Sequence, residues 1–330
     1  MSKNVIGEHK KYTVVNAKPE HIQEICSIFN SVYKEAITEN PIIPYVDMKK
    51  FLIETLPYWI EEGFVFVALL EEQVVGYMSG IPVEKFFGSA EGAFIPLYGH
   101  GTVKENRKQV YQMLYTYASD IWVKQGQRNH LLTLFCETQD SVDIWVSLGF
   151  GNHCVDAICS PDKIKIAQSI SNISVVKATN DRLDHIKPLC YADHLQYYQA
   201  PSFIYTENKT EEEVMNDFSN WMCEANRHLW IAYENNEPVG YMRLAESGES
   251  FISRAPEMMN ITGGYVRPDY RNKGIADLLL SHVAAWSIGN GYTLCGVDFE
   301  SVNVPANNFW SRYFSPYTFS MLRKIDDRIK

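Results

Sequence analysis

A six-residue segment near the end of the chain has the composition of an anion-binding turn. It reads Arg271-Asn272-Lys273-Gly274-Ile275-Ala276 and lies between a predicted strand and a predicted amphipathic helix. The first N–H groups of a helix have no acceptor within the helix, and the helix dipole makes that end positive. Gly274 lets the backbone approach an anion, while Arg271 and Lys273 add full positive charges. The segment therefore predicts a pyrophosphate site.

Two carboxylates, Asp298 and Glu300, stand at the end of the next predicted strand, Thr293–Phe299. Side chains alternate along a strand, so residues two apart lie on the same face. A carboxylate in this position can accept a proton from an attacking amine, directly or through water. The other interpretation is a solvated strand end with no part in chemistry.

An internal repeat shows which elements must position these residues. The segment Phe64–Met78 aligns without gaps with His228–Met242, 164 positions later, and both end in Val-Gly-Tyr-Met. The starts of the two copies, at Thr13 and Ser174, also align. Each copy reads as a strand, two helices, a β-hairpin, a fourth strand, a long helix and a fifth strand. We predict two tandem α/β (α+β) domains, residues 1–165 and 166–330.

Further strands and helices are predicted in both copies. In the second copy, strand Ile261–Val266 precedes the anion-binding turn and helix Ile275–Asn290 follows it. A helix is predicted over Asp181–Gln199. In the first copy, single strands are predicted over Val74–Pro82 and Ile95–Val103.

The pattern Val-x-Pro-x-x-Arg-x-x-Gly-x-Ala, from Val266 to Ala276, resembles motif A of the GNAT superfamily of acyl-CoA-dependent N-acyltransferases. The pattern has the strand before it and the helix after it that this family shows. The resemblance covers both copies in element order. It implies, for each copy, a mixed and mostly antiparallel sheet flanked by helices, with acetyl-CoA as cosubstrate.

The resemblance also implies where the cosubstrate binds. Two adjacent strands, here Ile261–Val266 and Thr293–Phe299, splay apart, and the pantetheine arm lies between them. Asn303, followed by Ala306, resembles a segment that contacts coenzyme A. The predicted cofactor-binding residues are Tyr265, Val266, Arg271, Asn272, Lys273, Gly274, Ile275, Ala276 and Asn303.

The implied chemistry is direct attack by an amine on the thioester within a ternary complex. The Val266 N–H is our candidate to polarise the carbonyl, and Asp298 and Glu300 are candidate bases. Trp310 occupies the position where many family members have an acidic tyrosine, and its indole cannot release a proton. Tyr313 is the candidate substitute, and water is the alternative source of that proton.

The first copy departs from the pattern. If Arg107 is aligned with Arg271, then Val110 stands where glycine is needed and Gln112 where glycine or alanine is needed. A β-branched residue at that position resists the required dihedral angles. We therefore expect the first copy to keep the fold and to have lost most cofactor binding.

An aromatic group in the second copy falls where the resemblance places the acceptor. Such rings can cage an ammonium ion, although a stripe of this kind is more often core. The group comprises Tyr191, His194, Tyr197, Tyr198, Phe203 and Tyr205. We expect a small-molecule primary amine as acceptor. The alternatives are a non-catalytic acyl-CoA-binding module and an enzyme acting on a peptide N-terminus.

The composition excludes some partners. With a net charge of −10, the chain is poorly suited to a nucleic acid. No apolar run has the length of a membrane span. The seven cysteines form no CxxC pair, so we expect a cytoplasmic protein without a metal site. The sequence leaves open whether the protein is a monomer or a homodimer.

Overall fold

A computed structural model describes residues 12–86, 90–136 and 139–329. The chain divides into two compact units. The N-terminal unit comprises residues 1–40, 47–152 and 319–330, and the C-terminal unit comprises residues 41–46 and 153–318. The predicted boundary near residue 165 stays a prediction.

The N-terminal unit contains a sheet with strand order β1-β2-β3-β6, the strands β4, β5 and β7, and four α-helices. Helix α3 packs its apolar face, including Val110 and Leu114, into a core with the fully buried indoles of Trp122 and Trp145. The strands are β1 Tyr12–Asn16, β2 Val65–Leu70, β3 Gln73–Ser79, β4 Ile81–Phe86, β5 Ala90–Ile95, β6 His100–Thr102 and β7 Asn129–Phe135. The helices are α1 Ile22–Glu39, α2 Lys49–Glu61, α3 Arg107–Lys124 and α4 Gln139–Ser147.

The C-terminal unit contains a sheet with strand order β8-β13-β12-β11-β10-β9. All its neighbouring strands are antiparallel except β12 and β13, which are parallel. The strands are β8 Gly151–Cys159, β9 Ile173–Lys177, β10 Arg227–Glu234, β11 Glu237–Ala245, β12 Met258–Val266, β13 Leu294–Glu300 and β14 Ser315–Lys324, the last of which runs on into the N-terminal unit. The helices are α5 Lys187–Gln196, α6 Glu211–Cys223, α7 Ile275–Gly289 and α8 Val304–Trp310.

The duplication is visible in fine detail. The hairpin β2–β3 has a β-bulge after Ala68, and the hairpin β10–β11 has one after Ala232, at the equivalent position. The repeated glycine has the same role in both: a Cβ on Gly76 would lie 2.6 Å from Val110 Cγ1, and one on Gly240 would lie 2.9 Å from the Tyr265 carbonyl oxygen. The expected mixed, mostly antiparallel sheets flanked by helices are confirmed.

Three predicted elements differ from the structure. The strand expected over Val74–Pro82 divides at Gly80, where a Cβ would lie 2.0 Å from the Trp122 ring. The strand expected over Ile95–Val103 is interrupted by a turn that begins at Pro96, which has no N–H to donate to a strand partner. In the helix expected over Asp181–Gln199, the α-helical part begins only at Lys187, because Pro188 fits only a first turn.

Candidate functional site

Strands β12 and β13 form a fork in the C-terminal sheet. They pair in parallel from Met258 and Leu294 as far as Ile261 and Val297. At the next residue, Thr262, the pairing of β12 with β11 shifts register, as in a β-bulge. A bulge bends a strand and increases its twist, which separates β12 from β13 beyond this point. The Thr262 hydroxyl is buried there, with no hydrogen-bond partner among the described residues.

The predicted anion-binding turn starts helix α7. Gly274 occupies the N-cap position with φ of 81°, in the left-handed region that favours glycine, and Ile275 is the first helical residue. The earliest helical bond in this turn runs from the Leu278 N–H to the Gly274 carbonyl, at 2.9 Å. The N–H groups of the helical residues before Leu278, which include Ile275 and Ala276, are those that a helix leaves available to an anion.

A groove of about 700 Å³ runs from this turn along the end of β12 to helix α8. It is lined by eight of the nine predicted cofactor-binding residues, namely Tyr265, Val266, Arg271, Asn272, Gly274, Ile275, Ala276 and Asn303. Lys273 does not line it; its ammonium lies 4.8 Å from the centre of the Tyr270 ring. The structure therefore brings together the loop, the strand end and Asn303, which are distant in sequence.

The Arg271 side chain is held by protein groups. Its Nε donates to the Val266 carbonyl at 3.0 Å, and its Nη2 donates to Gln196 Oε1 at 3.3 Å. The guanidinium also lies 5.5 Å from the centre of the Tyr265 ring. Arg271 thus fixes the shape of the turn relative to the strand, in addition to bringing positive charge to the groove.

Asn303 caps helix α8. Its Oδ1 accepts a hydrogen bond from the Ala306 N–H at 3.2 Å, as is usual for an asparagine at the N-cap of a helix. Both residues line the groove. The cap therefore fixes the start of a helix that forms one wall.

Asp298 and Glu300 lie on the same face of β13, just past the fork, while Val297 and Phe299 are buried on the other face. Asp298 is exposed to solvent, although neighbouring residues crowd its carboxyl group, and neither Asp298 nor Glu300 lines the groove. Lost hydration, followed by repulsion from Asp156 and other carboxylates, raises the pKa of Asp298 to about 7. A carboxylate with a pKa near neutrality is a competent general base.

Glu300 and its neighbours connect the fork to helix α5. Partial burial raises the pKa of Glu300, and Tyr197 is hydrogen-bonded to its carboxylate. Burial also raises the pKa of Tyr197, so its hydroxyl stays protonated. On strand β8, burial raises the pKa of Asp156 to about 6, although Thr318 donates a hydrogen bond to it.

Tyr313 lies elsewhere. Its hydroxyl donates to Asp277 in the first turn of α7, and it is not among the residues that line the groove. Burial and this hydrogen bond raise the pKa of Tyr313 to about 12. Trp310 lines the groove and packs edge-on against Phe309 and Phe314. The acid role of Tyr313 stays a prediction.

The aromatic group near helix α5 is not core. Phe203 is 74% exposed and Tyr205 is 53% exposed, and the other members are partly exposed. The rings of Tyr191, His194 and Tyr198 follow one another at centroid distances of 6.4 and 5.7 Å. The expectation of a packed core stripe is therefore wrong, and these rings are accessible to a ligand.

Sequence reasoning missed a polar network beneath the groove. Asp193 on α5 accepts hydrogen bonds from Tyr241 and Gln196, both of which line the groove. One signal was present: Asp193 and Gln196 are three residues apart, so they share a helix face. Tyr241 belongs to the repeated Val-Gly-Tyr-Met segment, which the sequence marked only as a repeat.

The corresponding helix start in the N-terminal unit is built differently. Helix α3 begins at Arg107, after Asn106 with φ of 56°, so Asn106 and not Val110 takes the place of Gly274. The alignment of Val110 with the glycine is wrong; Val110 is a core residue of α3. Glu35 pairs with Arg107 at 2.9 Å and with Lys104 at 3.3 Å. A cavity lies at this helix start, and Glu35, Asp140 and Asp143 all line it. These carboxylates make the cavity less favourable for a pyrophosphate.

Two further observations concern the described residues. Over residues 12–86, 90–136 and 139–329, no three His, Cys, Asp or Glu side chains are grouped to hold a metal ion. No helix in the described part of the chain is long and apolar enough to cross a membrane.

One family model matches part of the C-terminal unit. Residues 192–314 match the family model described as Acetyltransferase (GNAT) family. A search of the curated proteins gave no match.

Solved structures show the same fold across both units. A GCN5-related N-acetyltransferase from Sphaerobacter thermophilus is 11% identical with a TM-score of 0.56, covering 95% of this chain and 95% of that chain. A tandem GNAT protein from the clavulanic acid biosynthesis pathway is 11% identical with a TM-score of 0.51, covering 95% of this chain and 98% of that one. At these identities the similarity shows the tandem fold alone.

Proposed function

We propose, for a chain that carries a GNAT acetyltransferase domain at residues 192–314, that it transfers an acetyl group from acetyl-CoA to the primary amine of a small molecule. The chemistry takes place in the C-terminal unit, by direct attack within a ternary complex. The observation that carries the proposal is the fork between β12 and β13, which has the anion-binding turn on one side and Asp298 on the other.

The residues of the groove fit the cosubstrate. The first-turn amides of α7, at Ile275 and Ala276, would hold the pyrophosphate, with charge from Arg271 and Lys273. The end of β12, at Tyr265 and Val266, would pair with the pantetheine arm as an added strand.

The reaction forms a C–N bond and breaks a C–S bond, so the amine loses one proton and the departing thiolate gains one. Asp298 accepts the proton from the amine, directly or through water, and Glu300 is the second candidate base. The Val266 N–H polarises the carbonyl as negative charge develops on its oxygen. Water is the proposed acid that protonates the thiolate. The alternative acid is the Tyr313 hydroxyl.

The acceptor side also favours an amine. Asp298 and Glu300 form no ion pair with any lysine or arginine of the described residues, so they remain available to attract an ammonium group. The accessible rings near α5 can contact such a cation. We place the protein in the cytoplasm, as a monomer or homodimer.

The alternative is a module that binds acetyl-CoA without transferring the acetyl group. Trp310 in the place of an acidic tyrosine and the engagement of Tyr313 by Asp277 favour it. Thiol release from acetyl-CoA, measured with a panel of primary amines and a peptide amine, separates the two. Amine-dependent release with an acetylated product supports the enzyme. Tight acetyl-CoA binding without release from any amine supports the module.

A further inference from the structure

The groove rests on a hydrogen-bond network whose innermost member is Asp193. Tyr241 Oη donates to Asp193 Oδ2 at 2.5 Å, and Gln196 Nε2 donates to Oδ1. Both carboxylate oxygens are therefore engaged by groups that line the groove, while Asp193 does not line it.

The network continues into the cofactor turn. An amide group has one donor end and one acceptor end. Because the Gln196 NH₂ faces Asp193, its Oε1 faces Arg271 Nη2, at 3.3 Å. Arg271 in turn donates to the Val266 carbonyl at 3.0 Å. The ionised carboxylate thus fixes which way Gln196 points, and Gln196 fixes the arginine.

We infer that Asp193 is a positioning residue for the acetyl-CoA groove. It acts on the end of β12 through Gln196 and Arg271, and on the neighbouring strand β11 through Tyr241. This inference rests on the proposed function. Asp193 touches neither cosubstrate nor amine. Its effect is to keep Val266 and the start of α7 in the arrangement that binds the cosubstrate.

The charge of Asp193 matters to this arrangement. An ionised carboxylate accepts from both donors, whereas a carboxamide oxygen accepts from one and its NH₂ opposes the other donor. In Asp193→Asn, either Tyr241 or Gln196 loses its acceptor. The Gln196 amide is then free to rotate, and Arg271 loses a fixed partner.

The surroundings of Asp193 define its titration. Burial raises the pKa of Asp193 to about 6, with the Tyr241 hydrogen bond opposing that rise. Arg243 on β11 favours the ionised form and Glu300 on β13 disfavours it. Cys190 on α5, Tyr197 just after α5, and Tyr241 itself have raised pKa values and stay neutral near pH 6. Acetyl-CoA affinity should therefore rise with pH through about 6.

The test is calorimetric titration of acetyl-CoA into the full chain and into Asp193→Asn, between pH 5 and 8. We expect about tenfold weaker binding by the variant at pH 7.5, since one hydrogen bond to a charged group is lost. The wild-type to variant affinity ratio should grow as pH rises through about 6. Titration of the cosubstrate's own phosphates is common to both proteins and cancels in the ratio.

Controls separate positioning from folding. Asp184→Asn removes an exposed carboxylate of the same unit and should leave affinity unchanged. In the double variant Asp193→Asn with Gln196→Leu, the loss should be little more than in either single variant, because the residues act as one network. A variant with reduced thermal stability but unchanged affinity would show a structural role only.

The outcomes keep the two proposals distinct. Equal affinity and equal pH dependence in wild type and Asp193→Asn overturn the inference, while wild-type transfer to amines leaves the proposed function in place. If the wild-type chain binds acetyl-CoA but acetylates no amine, the proposed function fails and the binding ratio still decides the role of Asp193.

Discussion

Asp298 on β13 lies directly opposite Asp156 on the neighbouring strand β8. Among the ion pairs of the described residues, none gives either carboxylate a lysine or arginine partner. Lost hydration raises the pKa of both carboxyl groups, to about 7 for Asp298 and about 6 for Asp156, and repulsion from Asp156 adds to the rise at Asp298. The pair therefore holds a proton near neutral pH, at the fork where an amine would lose one.

Replacement of Asp298 by asparagine should reduce acetyl transfer. Loss of a general base typically lowers the rate by about a hundredfold or more. The wild-type to Asp298→Asn ratio of kcat/KM should rise as pH increases through about 7, since only the ionised carboxylate accepts a proton. Taking the ratio removes the dependence on ionisation of the amine itself. A ratio that stays flat with pH would assign the base to Glu300 or water.

The same acids should make the protein less stable as pH rises. The folded-state pKa values, about 7 for Asp298 and about 6 for Asp156, lie above the ordinary value of 3.8. The folded state thus binds more protons than the unfolded state between these values, so the free energy of unfolding falls as pH rises from about 4 to 7. The free energy of unfolding of Asp156→Asn should exceed that of wild type at pH 8. The difference should be smaller at pH 5. Denaturant unfolding at both pH values measures this, and an equal gain at both would contradict it.

Gly274 should be sensitive to a single methyl group because of its backbone angle. A Cβ at position 274 would fit, since it would contact only Ile170 Cδ1, at 3.5 Å. The backbone angle φ of 81°, however, is unfavourable by roughly 1–2 kcal/mol for a residue that has a Cβ. We expect Gly274→Ala to lower stability by about 1 kcal/mol and to weaken acetyl-CoA binding. Gly289→Ala, at the last residue of α7, is the matched control and should not destabilise the protein. Similar melting temperatures and affinities for both variants would show that Gly274 is not constrained.

Tyr313→Phe tests the predicted acid. The Tyr313 hydroxyl donates a hydrogen bond to Asp277. Loss of this hydrogen bond should lower the free energy of unfolding by about 1 kcal/mol. If water protonates the thiolate, as we propose, kcat should stay within a few-fold of wild type. A fall in kcat of about a hundredfold or more with unchanged KM would return the acid role to Tyr313.

The sequence was sufficient to predict the tandem fold and the turn at Gly274. Both leave local signals: a repeated hairpin, and a polar turn between a strand and an apolar helix. The division at Gly80 left no such signal, because it arises from the Trp122 ring, 42 positions away in sequence. Likewise, Asn106 and Val110 could be assigned only once the first residue of α3 was seen.

The interior of the site was out of reach of the sequence for a similar reason. The opposition of Asp156 and Asp298 depends on strand order, which places β8 beside β13 although 142 positions separate the two residues. The network of Asp193 with Tyr241 and Arg271 depends on how α5 packs over the sheet. Such contacts are tertiary, and residue spacing along the chain does not encode them directly.

The most direct test of the account is amine-dependent thiol release by two matched variants, Gly274→Val and Asn106→Val. Each places a β-branched residue at the left-handed position that precedes a helix, α7 or α3. Melting temperatures establish that both variants fold. Chemistry in the C-terminal unit predicts that Gly274→Val loses thiol release and Asn106→Val retains it. Release retained by Gly274→Val and lost in Asn106→Val would contradict the account.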